Sequence, residues 1–366
     1  MRHLTALLLV AGIICAAAAA QETTREPLIS PPLVFSSSQV KYGLYQNYLH
    51  RYMDRPLFMD RSNENKSTIL VTPFHRIMGH AKMYGLDGLS ILIATPGMVY
   101  RYERALEATS TSGRDGFIIM PRIGVARDIT YLDKTLTAAL ASPHSLRVDG
   151  KVLCGTYHSD GLTPEELAKM LADLRAIHGE TFLYMAAVGK GVGDARKQYQ
   201  ATGAVEDETA EAIKQNWRDY LEVADGLVSP SVGMYRRADR GFDAGFYRDF
   251  IIPTLLSVTN EPQNSGKYLE LMAVTGHFNF MTGSTLREEG TKTLRRSFEI
   301  AMAARPDVLD MPEWDELNEH TCIEPTITNG LTTQRIIKYY THIRNGEAPA
   351  PNVGDDTSVP NLGVSY

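Results

Sequence analysis

Cysteine is scarce here: three in 366 residues, too few for a disulfide scaffold. A basic excess is missing as well. The chain has 37 Lys+Arg against 43 Asp+Glu and a formal charge of −6, the wrong sign for a broad nucleic-acid-binding face. Low hydrophobicity is absent too, since 43% of residues are hydrophobic and 22% charged, which excludes disorder over most of the length. Several chemical motifs cannot be found. Gly189-Lys190-Gly191-Val192-Gly193 is glycine-rich but lacks the order of a phosphate-binding loop. No G-x-S-x-G marks a serine hydrolase. His75 and His80 are five apart rather than the four that metal-binding helices use, and no cysteine pair has zinc-finger spacing, so no metal and no cofactor are expected.

Long hydrophobic runs are missing everywhere except at the start. Arg2 and His3 precede an apolar stretch from Leu4 to Ile14, broken only by Thr5, and small residues run from Ala16 to Ala20. That is the pattern of a cleavable secretory signal peptide over residues 1–20, which predicts a secreted or periplasmic protein. A lipid anchor on Cys15 is the alternative, with Ile14 standing where a small residue is wanted. No other run approaches the ~20 residues needed to span a bilayer, so no membrane span is expected in the mature chain. Residues 21–32 read as a mobile leader, and the proline-containing stretch 347–366 as surface coil.

From Leu33 onward short apolar runs alternate with amphipathic stretches. The runs are Leu33–Phe35, Leu89–Ala94, Phe117–Met120, Val152–Tyr157, Thr181–Val188, Gly226–Val228, Leu269–Val274 and Val308–Met311. Continuous rather than alternating apolar character suits parallel strands covered on both faces. Thr163 to His178 is the clearest helix. Thr163 is the cap, Pro164 takes the first position, Glu166 completes a capping box and Gly179 ends it. Leu167, Met170, Leu171, Leu174 and Ile177 form its apolar stripe. Helices are also expected around Pro73–Tyr84, Met98–Thr109, Ile129–Leu140, Glu208–Ala224, Glu288–Ala304 and Thr332–Ile343, and around Phe246–Val258 with Pro253 as an interruption. Eight strands, each followed by a helix, predict an α/β fold: a single (β/α)8 TIM barrel over residues 33–346, with a doubly wound open sheet as runner-up.

A barrel places its chemistry on the loops at the carboxyl ends of the strands. Arg122 follows strand three, Tyr157, His158 and Asp160 strand four, and His277 and Asn279 strand seven. Their side chains suit contact with substrate hydroxyls, and Arg122 also suits the tuning of a carboxylate. His158 and Asp160 equally fit a loop leading into the Thr163 cap. Tyr235 with Arg236-Arg237 reads as an exposed turn. The loop after strand eight is the richest. Between Glu313 and Glu324 five carboxylates fall in twelve residues, with Trp314 beside them. Paired carboxylates cut glycosidic bonds, one as acid for the leaving oxygen and one as base or nucleophile, and Trp314 would offer a stacking face to a sugar.

That loop reads Trp-Asp-Glu-Leu-Asn-Glu-His-Thr-Cys-Ile-Glu-Pro from Trp314 to Pro325. It resembles the W/F-N-E-W-x-E-G-T-x-I-E-P segment of glycoside hydrolase family 99, the endo-α-mannosidases, and more loosely the family 71 α-1,3-glucanases. Asp315, Leu317 and His320 stand where the pattern has Asn, Trp and Gly. The resemblance implies a (β/α)8 barrel and cleavage of an oligosaccharide or polysaccharide, an α-mannan or α-glucan. It implies that Glu316 is the base toward the sugar 2-hydroxyl and Glu319 the general acid/base, with Glu324 among the substrate-binding residues. A carbohydrate-binding barrel without catalysis and a metal-dependent hydrolase of another bond remain the competing functions. Cys154 in strand four and Cys322 after strand eight would lie on opposite sides of the barrel, beyond the ~7 Å limit for a disulfide, so both are expected as free thiols.

Overall fold

The computed structural model describes residues 25–39, 71–111, 116–124, 128–279, 283–316, 320–326 and 329–347. Eight strands form the barrel: β1 (Leu33–Ser38), β2 (Gly88–Ile93), β3 (Ile118–Ile123), β4 (Lys151–Thr156), β5 (Phe182–Ala187), β6 (Gly226–Val228), β7 (Tyr268–Met272) and β8 (Val308–Met311). Every neighbouring pair runs parallel, and the sheet closes through β3 and β4, where Arg122 lies opposite Gly155. The (β/α)8 barrel is therefore the architecture. β2 and β5 are buried at every position, as the continuous apolar runs require when helices cover the outer face and side chains fill the inner one.

Outside the barrel lie α1 (Val71–Met83), α2 (Val99–Thr111), α3 (Ile129–Ala141), α4 (Pro164–His178), α5 (Val192–Thr202), α6 (Asp207–Val223), α7 (Ile252–Thr259), α8 (Lys292–Ala303) and α9 (Thr332–Arg344). In α4, Glu166 N donates to Thr163 Oγ1 at 3.2 Å and Thr163 N to Glu166 Oε2 at 2.8 Å, and Gly179 follows at φ 68°. Its stripe is one residue narrower than expected. Leu167, Met170, Leu171 and Leu174 are buried, but Ile177 in the last turn is 57% exposed.

Three elements depart from the sequence expectation. α5 begins directly after Gly191, at φ 84°, where only a glycine-rich loop was read. It buries just Val192 and Ala195, too little apolar surface to declare a helix. Around Pro253 the chain forms a short helix (Ala244–Phe246), a π turn (Tyr247–Ile251) and then α7, so the proline falls in a first turn, where its missing N–H costs nothing. After β7, His277–Asn279 pairs antiparallel with Ser284–Leu286 as a hairpin over the barrel's carboxyl end.

Residues 25–32 are pinned rather than mobile. Arg25 is buried, forms an ion pair with Asp307 and donates to Lys267 O at 2.8 Å. Asp307 Oδ1 also accepts the amides of Leu28 at 2.5 Å and Ile29 at 2.9 Å. One carboxylate at the start of β8 thus fastens this segment across the barrel floor. Residues 1–24 and 348–366, with the signal-peptide reading and most of the predicted coil, lie outside the described residues.

Candidate active site

The loop after β8 is held by backbone pairing. Glu313 N donates to Thr321 O at 3.1 Å, Ile323 N to Glu313 O at 2.9 Å and Glu324 N to Trp314 O at 3.0 Å, while Glu316 and Thr321 form an antiparallel bridge. Trp314 N donates to Ser37 O at the end of β1, which ties the loop across to the first strand. The loop is consequently not a solvated acidic run. Glu313, Asp315, Glu316 and Glu324 are all buried, Glu316 to 4% exposure.

Burying carboxylates costs free energy unless donors satisfy them. Gln39, the residue after β1, supplies three. Its backbone N–H donates to Asp315 Oδ1 at 2.9 Å. Its side-chain amide donates to Glu313 Oε2 at 2.8 Å and also to Glu316 Oε2. Arg101 from α2 donates to Gln39 O at 2.6 Å, which fixes the residue from behind. Two glutamates therefore converge on one amide nitrogen at the carboxyl end of the barrel.

A cavity of about 220 Å³ opens beside them. Tyr157, His277, Pro312, Glu313 and Thr321 line it, together with Arg236, Ser284 and Thr285. A larger cavity of about 700 Å³ lies on the outer surface between α6, α7 and α8, with Ile252, Pro253, Leu256 and Ile300 in its lining. It is remote from the carboxyl end of the strands, and its single carboxylate, Glu299, accepts the Tyr340 hydroxyl at 2.5 Å, so it offers no acid–base pair.

The residues expected from the sequence divide among several places. Tyr157 and His277 line the cavity, and Glu316 stands against the Gln39 amide. Glu319 lies outside the described residues. Trp314 is 1% exposed and packs in the core cluster, so its ring offers no open stacking face. His158 is exposed and meets the Tyr157 ring edge-on, with centroids 4.4 Å apart. Asp160 is exposed and accepts Gly189 N at 3.0 Å, which makes it a staple between the β4 and β5 loops. Asn279 belongs to the hairpin by its backbone, opposite Ser284. Glu324 is buried beneath the loop.

Arg122 is not placed to meet a sugar. It sits 1% exposed inside the barrel, 2.5 Å from Glu270 Oε1 on β7 and 3.3 Å from Asp310 Oδ2 on β8. Its Nε donates to Ser90 Oγ at 3.1 Å, and Ser90 in turn donates to Asp310 Oδ1 at 3.0 Å. Gly155 makes the room: a Cβ there would stand 3.3 Å from Glu270 Oε2 and 3.5 Å from the guanidinium carbon. Burial, only partly offset by Arg122, pushes the Glu270 carboxyl up to about 7 and raises Asp310 as well. Two acids thus share one cation beneath the mouth.

Sequence reasoning missed three residues. Gln39 carries no chemical signature of its own, but a polar residue just past the carboxyl end of β1 was a positional clue. Glu313 was lost among the loop's acids. Arg236, read as part of an exposed turn, lines the cavity, and its neighbour Tyr235 is fully buried with its hydroxyl on Pro230 O at 2.6 Å. Cys154 and Cys322 are both buried and not joined in a disulfide, as their strands predict, and burial pushes the Cys154 thiol up to about 12. Among the described residues no group of three His, Cys, Asp or Glu side chains is arranged to hold a metal ion, and no helix is long and apolar enough to cross a membrane.

No protein-family model and no curated protein matches the sequence. Solved structures do resemble the fold. A GH99 endo-alpha-mannosidase from Bacteroides thetaiotaomicron, in complex with bis-tris-propane, superposes with a TM-score of 0.61 at 13% identity, covering 86% of this chain and 96% of that one. A second structure of a GH99 endo-alpha-mannosidase from that organism gives 0.51 at 13% identity over 76% and 75% of the two chains. A glycoside hydrolase-like protein gives 0.58 at 9% identity over 88% of this chain and 96% of its own. The architecture of this chain is the one these glycoside hydrolase barrels adopt, over 75–96% of their length.

Proposed function

We propose that the protein is an exported glycoside hydrolase that cleaves α-linked glycans, an α-mannan or an α-glucan, at the mouth of its barrel. The observation that carries this is the convergence of Glu313 and Glu316 on the Gln39 amide beside an open cavity. The amide donates to both carboxylates and orients them, and one of them serves as the base. The resemblance of the Trp314–Pro325 segment supplies the roles. Glu316 removes the proton of the sugar 2-hydroxyl as that oxygen closes on the anomeric carbon. Glu319 gives its proton to the departing glycosidic oxygen, then takes one from the water that opens the anhydro intermediate. Tyr157 and His277 hold substrate from the lining. Residues 1–20 direct export and leave the mature chain outside the cytoplasm.

The test is turnover of α-mannans and α-glucans, read as new reducing ends. Glu316→Gln and Glu319→Gln should each lower kcat/KM at least ~100-fold. Glycan binding without new reducing ends would identify a binding barrel, and near-normal activity of both variants would reject the assignment.

A further inference from the structure

We propose that the mouth cavity takes an α-linked glycan bearing an anionic substituent, a carboxylate or an ester sulfate, and that Arg236 reads that charge. This rests on the glycoside hydrolase reading and narrows its substrate class. Arg236 is the one Lys or Arg among the described residues that lines the cavity. Its Nη1 donates to Ser284 Oγ and Thr285 O, both at 3.3 Å, across the turn from the hairpin. These are neutral acceptors, and among the described residues no Asp or Glu forms an ion pair with it.

The next residue shows the contrast. Arg237 is clamped by Asp239 at 2.9 Å and Glu289 at 2.7 Å and stays out of the cavity lining. The fold therefore neutralises one of two adjacent arginines and leaves the cavity-facing one charged. Nor does the surrounding turn dilute that charge. Arg196 from α5 donates to Gly233 O at 2.8 Å, and burial together with the charge of Arg236 pulls it below the ordinary arginine value. Asp243, whose charge acts on Arg196, is already engaged, with Oδ1 capping Phe246 N at 3.0 Å and Oδ2 accepting Gln200 Nε2 at 3.3 Å.

A half-buried guanidinium without a counter-ion gains most from a ligand anion. Carboxylate and sulfate oxygens match its planar fork, and charge-assisted bonds are roughly twice as strong as neutral ones. Glu313 lines the same cavity, so a bound glycan meets one acid and one cation there. A wholly neutral sugar would leave that cation partly desolvated and unpaired.

Matched probe pairs test this: α-1,4-linked oligogalacturonides against their carboxyl-reduced neutral forms, and sulfated α-mannan against the same polymer desulfated. Binding is measured by calorimetry on the full chain carrying Glu316→Gln, and turnover as reducing ends on the unaltered chain. The charged member of at least one pair should bind at least ~10-fold more tightly at low salt, the gap shrinking with added salt. The pair that shows the gap separates carboxylate from sulfate. Arg236→Met should collapse the gap. Arg240→Asn, which removes an exposed charge of the same turn at φ 69°, should keep it. Equal binding of charged and neutral members, no binding of either charged probe, or a gap that survives Arg236→Met overturns the proposal. Neutral glycans cleaved as fast as charged ones would overturn it while leaving the glycoside hydrolase reading intact. A charge preference in binding without any cleavage would reject that reading alone.

Discussion

Two acidic groups stand in this barrel, and the side-chain donors placed on them differ. Inside, Glu270 and Asp310 face the guanidinium of Arg122. At the mouth, Glu313 and Glu316 face the uncharged amide of Gln39. A cation within hydrogen-bond reach neutralises a carboxylate and anchors strands β3, β7 and β8 to one another. The Gln39 amide orients its acceptors and carries no charge of its own. We read the interior cluster as built for the fold and propose that the mouth cluster serves chemistry, although both are buried.

The largest expected effect breaks the interior group. Arg122→Met leaves two buried acids without their cation and should cost about 3–5 kcal/mol of stability, read as a fall in the denaturation midpoint. Loss of less than about 1 kcal/mol would show that the cluster is not structural. Next comes the mouth. Glu316→Gln should lower kcat/KM at least ~100-fold, about 2.7 kcal/mol of transition-state stabilisation, while leaving the midpoint within about 1 kcal/mol.

A pH scan sharpens the same comparison. Glu270, raised to about 7 in the folded chain, binds a proton there that the unfolded chain has already released above about 4.5. The folded state therefore holds more protons across that window, and stability falls as pH rises from about 4.5 to about 7, by roughly 1–3 kcal/mol. Below that window the contribution is fully present. Glu270→Gln should flatten the slope, and an equally steep scan in that variant would assign it elsewhere. The smallest effect is at Gln39. Gln39→Ala removes the donor shared by Glu313 and Glu316 and should reduce kcat/KM roughly tenfold, with a shifted pH profile. A change in KM alone, with the profile unmoved, would mean that the amide serves only to bind.

The barrel itself was legible because its strands are continuous apolar runs and α4 carries complete capping chemistry. α5 was not, because two buried side chains write no periodicity. Cavity-lining residues were legible where position and chemistry coincide, as at Tyr157 and His277. They were misread where a residue type suggested one use and burial imposed another. Trp314 looked like a sugar platform and became core, and Arg122 looked like a loop cation and became the counter-ion of the barrel interior. Gln39 and Arg236 owe their importance to partners far along the chain, Glu316 and Ser284, and no local pattern announces such pairings.

We propose that the mouth carboxylates do the chemistry. This is tested most directly by comparing the unaltered chain and Glu316→Gln, both folded to the same midpoint, for release of reducing ends from α-mannan and α-glucan. A loss of at least ~100-fold is expected in the variant. Turnover within about twofold of the unaltered chain would contradict it.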